Sequence, residues 1–120
     1  MSRLASRECV PCRGGVAPLT RDEIAPLMSQ LDSGWSLVER DGPRGPMLLL
    51  SRRYRFADFA QAMRAANAIA ELAEQQRHHP DLHVAWGSLG IEIWTHKIGG
   101  LTESDCIFAA KCDAVVPKSL

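Results

Sequence analysis

Between Phe56 and Ala73 the apolar residues change their spacing, and that change limits the folds open to this chain. Phe56, Phe59, Ala60, Met63, Ala66, Ile69, Ala70 and Ala73 recur at helical intervals, while Asp58, Gln61, Arg64, Asn67, Glu71 and Glu74 cover the remaining turn. So many alanines allow this helix to lie close to whatever it covers. It must stop before Pro80, because the residue preceding a proline is pushed out of the helical region. On either side the period is two. Trp35 to Glu39 and Met47 to Phe56 read as strands joined by the turn-rich Asp41-Gly-Pro-Arg-Gly-Pro46, which predicts a hairpin. Downstream, Leu82 to Trp86 and Leu89 to His96 predict a second pair of strands around Gly87. In the longer one Leu89, Ile91, Ile93 and Thr95 share one face, and Glu92, Trp94 and His96 the other.

A helix at each end completes the pattern. Thr20 is an N-cap with Glu23 at the capping-box spacing, and Ile24, Leu27, Met28 and Leu31 follow at helical intervals. This predicts a first helix of about a dozen residues, closed by Gly34. Gly99 and Gly100 break the chain before a last helix from Thr102 to about Val115. The order α-β-β-α-β-β-α predicts an α+β, two-layer domain: a four-stranded antiparallel sheet with helices packed on one face. That domain is expected over residues 19–120, preceded by a flexible head over 1–18 that Pro11, Gly14, Gly15 and Pro18 interrupt.

A chain of 120 residues supports one domain with a modest core. Its 14 basic and 14 acidic residues balance, which argues against nucleic acid or an anionic membrane as partner. No apolar run approaches bilayer length, and Arg3 and Arg7 are followed by no apolar signal region, so a cytoplasmic protein is expected. There the four cysteines read as reduced thiols, with Cys106 and Cys112 packed along the last helix. Cys9 and Cys12 form a single C-x-x-C. It reads as an exposed head or as half a zinc site that would need His78, His79 or His83 to complete it.

The chemistry concentrates in the second half. His78, His79 and His96 bring imidazoles together with Asp105 just downstream, and imidazole exchanges protons near neutrality with little tuning. The adjacent pair falls at a helix-to-strand junction shaped by Pro80. Asp105 has two roles open to it: orienting His96 through one ring nitrogen, or closing a capping box with Thr102. Glu74, one turn before His78, either tunes that imidazole, meets paired N–H donors of a ligand, or is a solvated helix residue. Trp86 suits a stacking wall or a core aromatic, Trp94 shares a strand face with His96, and His83 reads as a surface residue.

Glu74, His78-His79-Pro80, Trp86, His96 and Asp105 together resemble the signature of the pterin-4a-carbinolamine dehydratase family: a charged residue, three spacers, His-His-Pro, an aromatic, a His and an Asp. The resemblance runs from Leu19 to the C-terminus. It implies the same fold, a homodimer or homotetramer built by sheet extension, and a pterin substrate with no metal and no other cofactor. The reaction it implies removes water from a 4a-hydroxytetrahydropterin to leave the quinonoid dihydropterin. An acid protonates the departing 4a-oxygen while a base takes a ring N–H proton. His78, His79 and His96 are the acid–base set by this analogy, and spacing does not tell acid from base. The Cys-Val-Pro-Cys-Arg-Gly-Gly head and Ile93-Trp-Thr-His-Lys97 resemble the branch containing RuBisCO assembly factors of chloroplasts and α-carboxysomes. A catalytically silent assembly factor, acting on the RuBisCO large subunit through a protein-binding surface, is therefore the second expectation. Coactivator-like members of the family and a metal-binding module have less support.

Overall fold

The computed structural model describes residues 4–9 and 16–117. Over these the chain runs as a 3-10 turn (Leu4–Ser6), α1 (Arg21–Met28), β1 (Ser36–Gly42), β2 (Gly45–Arg55), α2 (Phe59–Gln76), β3 (Asp81–Ala85), β4 (Ser88–Ile93) and α3 (Glu103–Val115). The strands make one antiparallel sheet in the order β1-β2-β4-β3. On its inner face Leu50, Tyr54, Leu89, Ile91 and Ile93 share a core with Ile24 of α1, Ala62, Ala65 and Ile69 of α2, and Ile107 and Phe108 of α3. This is the α+β two-layer arrangement expected from the order of periods. Full burial of each large aliphatic side chain contributes about 1.5–3 kcal/mol, so Leu89, Ile91 and Ile93 make β4 the axis of the core. On the opposite face Ser51, Arg53, His83 and Glu92 line a shallow groove of about 420 Å³.

Three local features depart from the sequence pattern. α1 ends at Met28 after 8 residues. Its capping box forms as expected, the Glu23 amide donating to Thr20 Oγ1 at 3.2 Å and the Thr20 amide to Glu23 Oε1 at 2.9 Å. Pro26 then removes a backbone donor from the helix, and the chain continues through tighter turns, Gln30 N–H to Leu27 O and Leu31 N–H to Met28 O. In α2, capped by Asp58, the buried stripe is Ala62, Ala65, Ala66, Ile69, Leu72 and Ala73. Phe59 and Met63, placed on the covered face by spacing, are 48% and 36% exposed. The helix carries two apolar stripes, and the alanine-rich one lies against the sheet because small side chains allow closer approach.

The third departure is the head, expected to be flexible throughout. Leu4 is 1% exposed and belongs to the main core. Lys111 Nζ donates to the Ala5 carbonyl at 2.9 Å, and Arg7 pairs with Glu103. Burial of one leucine and these polar ties to α3 hold residues 4–9 against the domain. Cys12 lies outside the described residues. Among the described residues no group of His, Cys, Asp and Glu side chains is arranged to hold a metal ion, and no helix is long and apolar enough to cross a membrane.

Candidate active site

α2 ends at Gln76, three residues before the proline-adjacent position where helix becomes forbidden. Arg77 takes the left-handed conformation (φ 52°, ψ 42°), and the His78 amide reaches back to the Ala73 carbonyl at 3.1 Å. This is the bonding of a Schellman cap, usually made by glycine. It turns His78 inward, where its side chain is 11% exposed and its ring lies 5.3 Å from that of Phe108 in α3.

His78 Nε2 meets Asp105 Oδ1 at 2.6 Å. Asp105 stands in the first turn of α3 and is fully buried. Its Oδ2 accepts from Thr95 Oγ1 at 2.8 Å and from the Thr102 amide at 2.8 Å. The carboxylate thus acts as acceptor throughout, so in the neutral ring Nε2 carries the hydrogen and Nδ1 keeps its lone pair. Asp105 caps α3 and orients a histidine at once. That histidine is His78, not His96 as linear proximity suggested. Thr95 reaches Asp105 because the chain leaving β4 folds back at once: the Thr95 amide donates to Gly100 O, and the Ile98 and Gly99 amides donate to Thr95 O. Gly99 has φ +75°, a conformation that a side chain would strain.

The other expected residues are arranged differently. His79 Nε2 meets Glu74 Oε2 at 2.6 Å, both side chains exposed, so Glu74 serves His79 rather than His78. His96 is exposed, its ring 4.5 Å from that of Trp94, and it directly follows Thr95 in the chain. Pro80 is half-buried at the entry to β3. Trp86 is 75% exposed and is no core aromatic. It occupies the β3–β4 turn beyond the Ala85–Ser88 pair, whereas the histidine end of the hairpin is the Asp81–Glu92 pair. At about 3.3 Å per residue that puts it on the order of 15 Å from Asp81, so a single chain does not bring Trp86 to the histidines. His83 is exposed on its strand, as expected.

Thr95 and Phe108 were not foreseen as parts of the site. Thr95 had a signal: it is a hydroxyl on the otherwise aliphatic face Leu89-Ile91-Ile93, and a buried hydroxyl needs a partner. Phe108 had none beyond its place in an apolar helix.

Known proteins resemble this chain in sequence and in fold. Residues 17–115 match the family described as pterin 4 alpha carbinolamine dehydratase. The chain belongs to that family. A Rickettsia bellii protein provisionally named pterin-4-alpha-carbinolamine dehydratase is 51% identical over 110 residues, covering 92% of this chain and 91% of that protein. The crystal structure of a transcriptional coactivator/pterin dehydratase from Brucella melitensis superposes with a TM-score of 0.70 at 31% identity, covering 83% of this chain and 99% of that one. A pterin dehydratase-like protein described as a RuBisCO assembly factor in the alpha-carboxysome has a TM-score of 0.54 at 26% identity, over 70% of this chain and 93% of that one. Membership of this family implies a pterin substrate.

Proposed function

We propose that this protein dehydrates a 4a-hydroxytetrahydropterin, with His78 as the base. The observation carrying this reading is the Nε2–H bond to buried Asp105, which fixes one tautomer and leaves Nδ1 to accept a proton. In the step, Nδ1 takes a ring N–H proton, the electrons form the C=N bond at C4a, and the C4a–O bond breaks. The hydroxyl leaves as water after protonation, so no redox partner is needed. The imidazolium formed at His78 is stabilised by the carboxylate it already faces. The acid is drawn from His79 and His96, exposed imidazoles near this pair in the chain. Glu74 and Pro80 hold His79 in place, and Trp86, out of reach of the histidines within one chain, contributes through a second subunit. A homodimer or homotetramer built by sheet extension, in the cytoplasm, belongs to the same reading.

The test is turnover of 4a-hydroxytetrahydrobiopterin by the purified protein beside His78→Ala, His79→Ala and His96→Ala. A loss of about 10²-fold or more in folded His78→Ala matches removal of a general base. Wild-type turnover no faster than the spontaneous rate would overturn the enzyme reading. A second reading, a RuBisCO assembly factor with carboxysome association, is favoured by the likeness to the alpha-carboxysome protein. It predicts that co-purification with the RuBisCO large subunit survives loss of all three histidines.

A further inference from the structure

The family match begins at residue 17, yet the head before it touches both chain segments that carry the His78–Asp105 pair. The Cys9 amide donates to Gln76 Oε1 at 3.1 Å, and the Cys9 thiol donates to the Ser104 carbonyl at 3.6 Å. Gln76 is the last residue of α2, two before His78, and Ser104 immediately precedes Asp105. Arg7 pairs with Glu103, the first residue of α3. Leu4, buried in the core, anchors the segment from behind. One short stretch therefore bonds to the end of α2 and to the start of α3, elements far apart in sequence. α2 needs such a tie, because its last turn is closed by a left-handed arginine rather than by glycine.

We propose that residues 4–9 form a strap that sets the distance and orientation of His78 relative to Asp105, with Gln76 as the positioning residue through which it acts. The proposal rests on the dehydratase reading for its catalytic consequence, but not for its structural one. Proton transfer depends steeply on geometry, and a displacement near 1 Å can cost up to about 10²-fold in rate. Gln76 touches neither Asp105 nor, in this reading, the substrate. Its loss should therefore lower kcat and leave KM nearly unchanged.

The experiment compares full-length wild type, Gln76→Met and Gln76→Glu. Met keeps the length of the side chain without the acceptor oxygen, and Glu keeps an acceptor. Three readouts are taken: kcat and KM on 4a-hydroxytetrahydrobiopterin, the melting temperature, and the low-field His78 Nε2–H proton in ¹⁵N-histidine-labelled protein. Expected for Gln76→Met are a roughly tenfold lower kcat, KM within about twofold, and a weakened or shifted Nε2–H resonance. Gln76→Glu should recover both kcat and resonance. An unmoved resonance in Gln76→Met overturns the strap, and so does a fall in kcat that Gln76→Glu fails to rescue. If the wild type shows no turnover, the dehydratase reading fails by itself and the resonance alone decides the strap. Should Gln76→Met not fold, Arg7→Ala releases the exposed tie to Glu103 and is judged by the same resonance.

Discussion

Asp105 has no exposed surface, and its oxygens accept from His78, Thr95 and the Thr102 amide. Replacement by Asn keeps the shape but offers one acceptor oxygen and a pair of donors. Either the imidazole or the amide of Thr102 then faces a donor. Asp105→Asn should lower turnover by about 10²–10³-fold, because His78 is freed to take its other tautomer. It should also cost about 2–3 kcal/mol in urea unfolding, since a buried donor is left unmet. Thr95→Val separates the two effects: a loss of about 1 kcal/mol is expected, with turnover reduced much less. Equal losses of turnover in both variants would argue that Asp105 acts only through packing. The sequence made Asp105 visible as the cap of α3 and as a histidine partner, but it pointed to the wrong histidine. His78 and Asp105 are 27 residues apart and meet only because the end of α2 lies over the start of α3. No local spacing encodes that crossing.

Elements were legible wherever one face had to be apolar. The alternation at Leu89, Ile91 and Ile93 and the capping box at Thr20 describe local structure, and both appear as read. α2 was recognisable as a helix but not in its rotation, because Phe59-Met63 and Ala62-Ala65-Ile69 are both helical stripes and only packing chooses between them. The end of α2 was likewise hidden, since Arg77 is a poor sequence signal for a left-handed cap. Arg77→Gly relieves that backbone strain and should stabilise the fold by about 0.5–1 kcal/mol in urea unfolding, after the added unfolded-state entropy is discounted. A loss of stability would mean that the arginine side chain has an unrecognised partner. A second tie between elements runs through Asp113 of α3. It accepts from Trp35 Nε1 at 2.9 Å, from Arg52 Nη1 at 2.9 Å and from the Tyr54 hydroxyl, while the Arg52 guanidinium lies 4.6 Å over the Tyr54 ring. Asp113→Ala leaves the Trp35 indole N–H and the Tyr54 hydroxyl without this acceptor, while Arg52 keeps its ion pair with Asp32 at 3.1 Å. A cost of about 2–4 kcal/mol is expected, with turnover per folded molecule unchanged.

For the molecule as a whole, these packed elements set an alkaline limit to stability. Burial pushes the Cys9 thiol up to about 11, with the neighbouring Asp105 charge adding to the effect and Lys111 opposing it. Burial likewise raises Cys106 to about 12, and Cys112 higher still beside Asp113. Tyr54 is raised by burial first and then by its hydrogen bond to Asp113. These are acids whose folded pKa lies above the unfolded one. As pH rises past the ordinary thiol value of 9.0, the unfolded chain releases protons that the folded chain still holds. Stability is therefore complete below pH 9 and declines above it, by up to about 1.4 kcal/mol per pH unit for each fully buried thiol. Cys9 is only half-buried and contributes less. The urea midpoint should accordingly fall between pH 8 and pH 10.5, and Cys112→Ala should make that fall shallower even if it lowers the midpoint at pH 8. A midpoint unchanged across the interval would mean that the thiols ionise in the folded state as readily as in the unfolded chain. In that case the helix carrying Asp105 is packed less tightly than its burial implies, and so is the wall behind His78.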